Sequence, residues 1–291
     1  MEKIKINNFN LWISKTFKGR TKKITSNKGN KKNQFVKNII FSRRVKYLIL
    51  FYIFIQGLSL NYKGRMMLDK FSYITLKINS TGNISIFHKK TSPNYLYGNI
   101  QAPEPDDIYI NGVQQNEIKS MYNFNKRENI IKLVWKHEIK TTCYLFSACD
   151  QITEINLSNF NSSNVENMAL MFFRCFSLTS LDLSNFNTSK VTDMYQMFYC
   201  CYSLTSLNLS NFNTHLVKNM GSMFGGCSSL KSLDLSSFDT SKVIFMDNMF
   251  SYCRSLMSLN LSSFDTSKVI FMNNMFESRM RGTPFALLLC Y

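Results

Sequence analysis

Histidine is nearly absent from this chain: His88, His137 and His215 are the only three in 291 residues. No Ser/His/Asp arrangement can be read around them, and no pair of carboxylates stands out in their place. The eleven glycines are scattered and never gather into the loop that cradles a phosphate. Cysteines two to four residues apart, the ligand spacing of a structural zinc site, do not occur, and Cys200 and Cys201 are adjacent. No catalytic residue, cofactor or metal is therefore expected. Asp239 and Asp265 could share a calcium ion, but Lys242 and Lys268 neutralise them more simply. Proline is also sparse, and three of the four fall in "TSPNYLYGNIQAPEPDD", residues 91–107, which reads as a loop.

Acidic residues are missing from one end. Residues 1–66 hold sixteen Lys/Arg and a single acid, Glu2, whereas residues 67–291 hold nineteen Lys/Arg against seventeen acids. The formal charge of +17 is thus an N-terminal property. A nucleic-acid partner would need positive charge along the rest of the chain, so none is expected. Behind the basic segment 1–46 comes "YLILFYIFIQGLSL", residues 47–60, with no charge. A basic stretch before a short apolar run is the pattern of a secretory signal peptide, with Gly57 and Ser59 suited to cleavage after Ser59. Fourteen residues fall short of the ~20 that span a bilayer, which makes a signal anchor the second choice. The expected localisation is extracellular or cell-surface, with the membrane touched only through residues 47–60.

What the chain has in abundance is repetition. "SSFDTSKVIFMDNMF", residues 236–250, returns as "SSFDTSKVIFMNNMF", residues 262–276, with one change in fifteen. Phe160, Phe186, Phe212, Phe238 and Phe264 are 26 apart, as are Met168, Met194, Met220, Met246 and Met272. Cys149, Cys175, Cys201, Cys227 and Cys253 form a further column. Self-similarity at such a period marks a stacked array in which each unit buries its apolar face on the next. Leu178, Leu181 and Leu183 read as a strand, and Val191, Met194 and Phe198 (i, i+3, i+7) as one face of a short helix. The expected fold is therefore α/β: a solenoid of about five 26-residue coils, each a strand plus a short helix, over residues 138–276. The column cysteines are expected as buried, unpaired core residues.

Residues 68–137 read as a small antiparallel β unit of about five strands that covers the first coil. "ITLKIN" and "NISIFH" alternate, and "IYINGVQ" holds an Asn-Gly hairpin signal. Residues 277–291 do not repeat.

The repeat "LDLSNFNTSKVTDMYQMFYCCYSL" resembles the BspA-type leucine-rich repeats, a surface-protein family of bacteria, mycoplasmas and protists. The resemblance covers residues 143–276, and the β-rich segment before them resembles the leader of protist members. It implies a leucine-rich-repeat solenoid, a role in surface attachment or protein binding, and no catalytic residues.

The expected function is a non-enzymatic surface or secreted repeat protein that binds a protein or glycan. An intracellular repeat scaffold, or a family copy without function, is the alternative. The candidate binding face runs along the outward strand positions Glu154, Ser180, Ser206, Ser232 and Ser258. Beside them stand Asn156, Asp182, Asn208, Asp234 and Asn260, whose alternation of neutral and acidic avoids opposed like charges. A candidate apolar patch comprises Ile244, Phe245, Ile270 and Phe271, which replace polar pairs of earlier coils and are expected to be covered by residues 285–291 or by self-association. Candidate N-glycosylation sites are Asn79, Asn83, Asn156, Asn161, Asn187, Asn208 and Asn260, each opening an N-x-S/T triplet.

Overall fold

A computed structural model describes residues 71–89 and 101–277, all within the unit Met67–Tyr291. The basic segment, the apolar run 47–60 and the tail from 278 onward lie outside the described residues.

Alternation builds the first strands. In β1 (Ser72–Asn79) the inward residues Ile74, Leu76 and Ile78 are fully buried. β6 (Glu128–Trp135) lies antiparallel to β1 over all eight residues, from Ser72 opposite Trp135 to Asn79 opposite Glu128. β3 (Asp107–Ile110) and β4 (Val113–Gln114) form a hairpin on the other side of β6. Asn111 and Gly112 turn it with φ of 51° and 82°, the left-handed pair that a type I′ turn requires. β2 (Gly82–Ser85) pairs with β5 (Met121–Phe124), a strand whose "MYNF" carries no alternation and was not expected.

The antiparallel strands and the repeats share one sheet. β7 (Ile152–Asn156) runs antiparallel to β1 on one side and parallel to β8 (Ser180–Asp182) on the other. The resulting order is β4-β3-β6-β1-β7-β8. Two later repeats contribute β9 (Ser232–Asp234) and β10 (Ser258–Asn260), again parallel and in register at 26 residues. The repeat between β8 and β9, residues 204–209, contributes no strand.

The expected α/β solenoid of strand plus helix is wrong. The described residues contain no helix, and their regular structure is strands in mixed sheets. Where the i, i+3, i+7 spacing of Val191, Met194 and Phe198 predicts helix, the backbone turns through left-handed residues four apart: Gln196 and Cys200, then Ser222 and Gly226, then Asn248 and Tyr252. An L-residue in that region costs roughly 1–2 kcal/mol, and no α-helix passes through one. The hydrogen bonds show what is gained. The N–H groups of Met194, Gln196, Phe198 and Cys200 do not bond back along their own segment. They donate to the carbonyls of Asn219, Gly221, Met223 and Gly225 in the next repeat, at 2.7–3.0 Å. The alternate residues Met197, Tyr199 and Cys201 close four-residue turns on Met194, Gln196 and Phe198 at 3.2 Å. Apolar side chains at helical spacing are therefore buried without a helix.

Side chains also meet their own copies one repeat on. Phe146, Phe172, Phe198, Phe224, Phe250 and Phe276 form a continuous ring stack, with centroids 5.5–5.9 Å apart. Phe160, Phe186, Phe212 and Phe238 form a second at 6.2–6.3 Å. Val191, Val217, Val243 and the column methionines Met168, Met194, Met220 and Met246 are fully buried between them.

A third column is polar. Thr188, Thr214 and Thr240 are 1% exposed, and each hydroxyl bridges two groups of one residue in the next repeat. Thr214 Oγ1 donates to the Asp239 carbonyl at 2.9 Å and accepts from the Asp239 N–H at 2.8 Å. Thr188 does the same with Asn213, and Thr240 with Asp265. Replacing Thr214 by Val keeps shape but removes the partner of the Asp239 N–H and carbonyl, part-buried groups each worth up to ~1–3 kcal/mol when unmet. The Thr214→Val variant is expected to lose about 2–4 kcal/mol in chemical unfolding, and Thr214→Ser well under half of that. Equal losses from the two would mean that the methyl, not the hydroxyl bridge, is what matters.

Candidate functional site

The outward strand positions do form an exposed line. Ser180, Ser206, Ser232 and Ser258 are all exposed, and Glu154 opposite Ser180 is half-buried. Glu154 is engaged rather than open: its Oε1 accepts from Lys77 Nζ of β1 at 2.8 Å. That partner also raises the Lys77 pKa. Ser206 and Asn208 lie in the repeat without a strand, so the line crosses an irregular step.

The Asn/Asp column beside it has a structural task. The Oδ1 atoms of Asn156, Asp182, Asn208, Asp234 and Asn260 accept from the N–H two residues on, at 2.9–3.1 Å. Each closes the polar turn after its strand as an Asx-turn. For Asp234 the Ser236 N–H lowers the carboxyl pKa. A second column, Asn161, Asn187, Asn213, Asp239 and Asp265, repeats the device with the residues two further on, at 2.9–3.2 Å. Asp239 and Asp265 are held below the ordinary carboxylate range by Ser241 and Ser267, with smaller help from Lys242 and Lys268. Five candidate glycosylation asparagines, Asn156, Asn161, Asn187, Asn208 and Asn260, thus have their side-chain oxygens committed to turns. Asn79 and Asn83 are exposed, and Asn83 pairs with Asn123 across β2 and β5 at 2.9 Å.

The apolar patch stands on a third Asx column. Asn167, Asp193 and Asn219 accept from the N–H groups of Ala169, Tyr195 and Gly221 at 2.9–3.0 Å. The next two members are Phe245 and Phe271, joined to the same line of parallel bridges. Their rings stack at 5.1 Å and remain 38% and 45% exposed. Ile270 is 72% exposed and Ile244 half-buried. Residues 285–291, proposed above as cover, lie outside the described residues.

The histidines do not gather. His137 Nδ1 lies 2.9 Å from Asp106 Oδ2, His215 Nδ1 lies 2.6 Å from Asn213 Oδ1, and burial lowers the His88 pKa. Among the described residues no group of three or more His, Cys, Asp or Glu could hold a metal ion, and no helix is long and apolar enough to cross a membrane.

The cysteine column Cys149, Cys175, Cys201, Cys227 and Cys253 is buried, and its thiols are not joined in disulfides. Cys175, Cys201, Cys227 and Cys253 donate to the carbonyls of Phe146, Phe172, Phe198 and Phe224 in the preceding repeat, with Sγ–O distances of 3.0–3.3 Å. Sequence reasoning read these thiols as packing alone. It also missed the aromatic pair Phe176 and Tyr202, whose column continues as Ser228 and Arg254. The signal was present at 26-residue spacing but was masked by the change of residue type.

These features define a class of protein: a stack of 26-residue repeats bonded backbone to backbone and joined to an antiparallel β unit. A family model described as "Mycoplasma protein of unknown function, DUF285" matches residues 116–213 and again 185–282. The chain belongs to that family. No curated protein and no solved structure matches it.

Burial pushes the column thiols upward: Cys253 to about 12, and Cys175, Cys201 and Cys227 well above the ordinary 9.0. Below the unfolded thiol value their contribution is fully present. As pH rises past it the unfolded chain releases protons that the native chain keeps, so stability falls by about 1.4 kcal/mol per pH unit per thiol. The urea midpoint is expected to drop steeply between pH 9 and 10 under reducing conditions. A flat midpoint across that window would show that the thiols reach water.

Proposed function

We propose that this chain is a non-enzymatic repeat protein of the BspA-type surface class, secreted or membrane-anchored, that binds a protein or glycan partner. The observation that carries the reading is the set of exposed columns. A stack of this kind presents the same position of every repeat along one line, and here those lines stay exposed. Ser180, Ser206, Ser232 and Ser258 form a small polar line suited to a partner rich in hydrogen-bonding groups. Phe245, Ile270 and Phe271 form an apolar one on the last two copies. Exposed apolar patches in stable proteins mark interaction surfaces. The basic and apolar segments of residues 1–60 support delivery to the cell exterior.

Location is the first test. On intact cells of the native host, the repeats should be reached by an impermeant antibody or cut by external protease. A chain found only in the cytosol would overturn the surface reading in favour of an intracellular scaffold.

The apolar patch is tested by restoring what its neighbours carry. Phe245→Asn with Phe271→Asn returns the Asx-turn of Asn167 and Asn219, so a gained hydrogen bond offsets the lost ring stack to within about 1 kcal/mol. The parent should self-associate and the double variant should be monomeric by mass in solution. A parent that is already monomeric, or a variant that associates as before, removes self-association from the reading.

A further inference from the structure

Three neighbouring columns change character together in one repeat. Phe173 and Tyr199 are followed by Gly225; Arg174 and Cys200 by Gly226; Phe176 and Tyr202 by Ser228. One repeat later the bulk returns as Tyr252 and Arg254. The result is a notch of 530 Å³, floored by Gly226 and Ser228 and walled by Tyr199 and Tyr202 on one side and by Tyr252 and Arg254 on the other.

The glycines are required for this shape. Gly226 has φ of 75°, and a Cβ there would sit 2.9 Å from Cys200 Sγ. At Gly225 a Cβ would come within 3.0 Å of the Tyr199 ring, which lies against the bare backbone. The floor of the notch at Gly226 is therefore bare backbone, and its walls are the side chains on either side.

Its geometry follows from the stack. Phe176 and Tyr202 are parallel to 4° with centroids 4.9 Å apart. The next ring of that column would fall over Ser228, and the one after it is replaced by the Arg254 guanidinium. Two repeat spacings, about 10 Å, leave room for one flat group at about 5 Å from either neighbour. Tyr202 and Tyr252 are 44% and 42% exposed, and among the described residues Arg254 has no ion pair. None of the groups lining the notch is acidic. The chain already sets a guanidinium on a ring, with Arg174 Cζ 5.0 Å from the Phe173 centroid.

We propose that the notch between Tyr202 and Arg254 binds a planar aromatic side chain presented by a protein partner, which takes the place of the missing ring in the column. A ring with two π faces satisfies both walls, because one stacks on tyrosine and the other receives the guanidinium. A pyranose stacked on the tyrosine wall would meet the guanidinium only through hydroxyls at its rim, without the cation–π contact. The inference rests on the chain being a binding protein and names one contact of that role. Its test uses no native partner and no cell, so its failure and that of the surface reading are distinguishable.

The probes are N-acetyltyrosinamide and N-acetyltryptophanamide, titrated into the full chain and followed by ligand-observed NMR, with methyl glycosides as comparison. Saturable binding of the aromatic amides is expected. Ser228→Phe should weaken it tenfold or more while leaving the thermal midpoint unchanged or raised, since the new ring completes the column. Should that variant lose thermal stability, Arg254→Ala, at an exposed position, provides the second reading, with a loss of at least threefold. Three results would overturn the proposal: no binding at the solubility limit of the probes, binding untouched by both substitutions, or preferential binding of the glycosides.

Discussion

The fold depends on one constraint: in the turn half of each repeat, every second backbone N–H is satisfied by the following repeat. The donors Met168, Leu170, Phe172 and Arg174 reach Asp193, Tyr195, Met197 and Tyr199, and the pattern renews through Met220, Ser222, Phe224 and Gly226. A segment that bonds this way has no stable form alone, because half of its donors are met only when a neighbour is in register. The left-handed residues follow from the same demand. Turning the chain at Leu170 and Arg174, and at their copies, aims alternate N–H groups along the stack instead of along a helix axis. The local strain is accepted because the backbone bonds and ring stacks it permits are more numerous.

Register then determines everything else. Once repeats align at 26 residues, each side chain lies beside its own counterpart, and only residue types that tolerate themselves survive as columns. Parallel rings do, at 5.5–5.9 Å for the phenylalanines from Phe146 to Phe276. A hydroxyl that both donates and accepts does, as in Thr188, Thr214 and Thr240. A thiol donating to the carbonyl of the preceding repeat does. Carboxylates stack seldom: Asp182 and Asp234 are separated by Asn208, and where Asp239 and Asp265 do fall one repeat apart, Lys242 and Lys268 stand beside them. The antiparallel unit obeys the same logic at the first repeat, where β1 pairs with the edge that β7 would otherwise present.

Function is sought where a column breaks its own rule. Phe245 and Phe271 stand where asparagine or aspartate closes a turn in three earlier repeats, and they forfeit that hydrogen bond to show an aromatic ladder. Ser228 stands where aromatic rings precede it, and it opens a notch. In a chain so regular, departures of this kind are more informative than the columns themselves. The polar line of Ser180, Ser206, Ser232 and Ser258 is different in kind, since its neighbouring Asn and Asp residues are already spent on turns.

The sequence by itself determined the period, most of the core and several of the strands. Columns such as Phe186, Met194 and Val191 could be placed inside because apolar residues at a fixed interval have nowhere else to go. β1, β2 and the Asn111-Gly112 hairpin could be read from alternation and turn chemistry. Tertiary structure alone decided that Val191–Met194–Phe198 is not a helix, because the spacing i, i+3, i+7 reports which side chains face inward and says nothing of where the N–H groups point. It alone decided that Thr188 bridges repeats, and that Asn156 and its copies hold turns. Those partners lie two or twenty-five residues away, and the choice between them is made by stacking. The notch beside Ser228 was likewise decided there, since a missing ring becomes a cavity only when the rings above and below it are held in line.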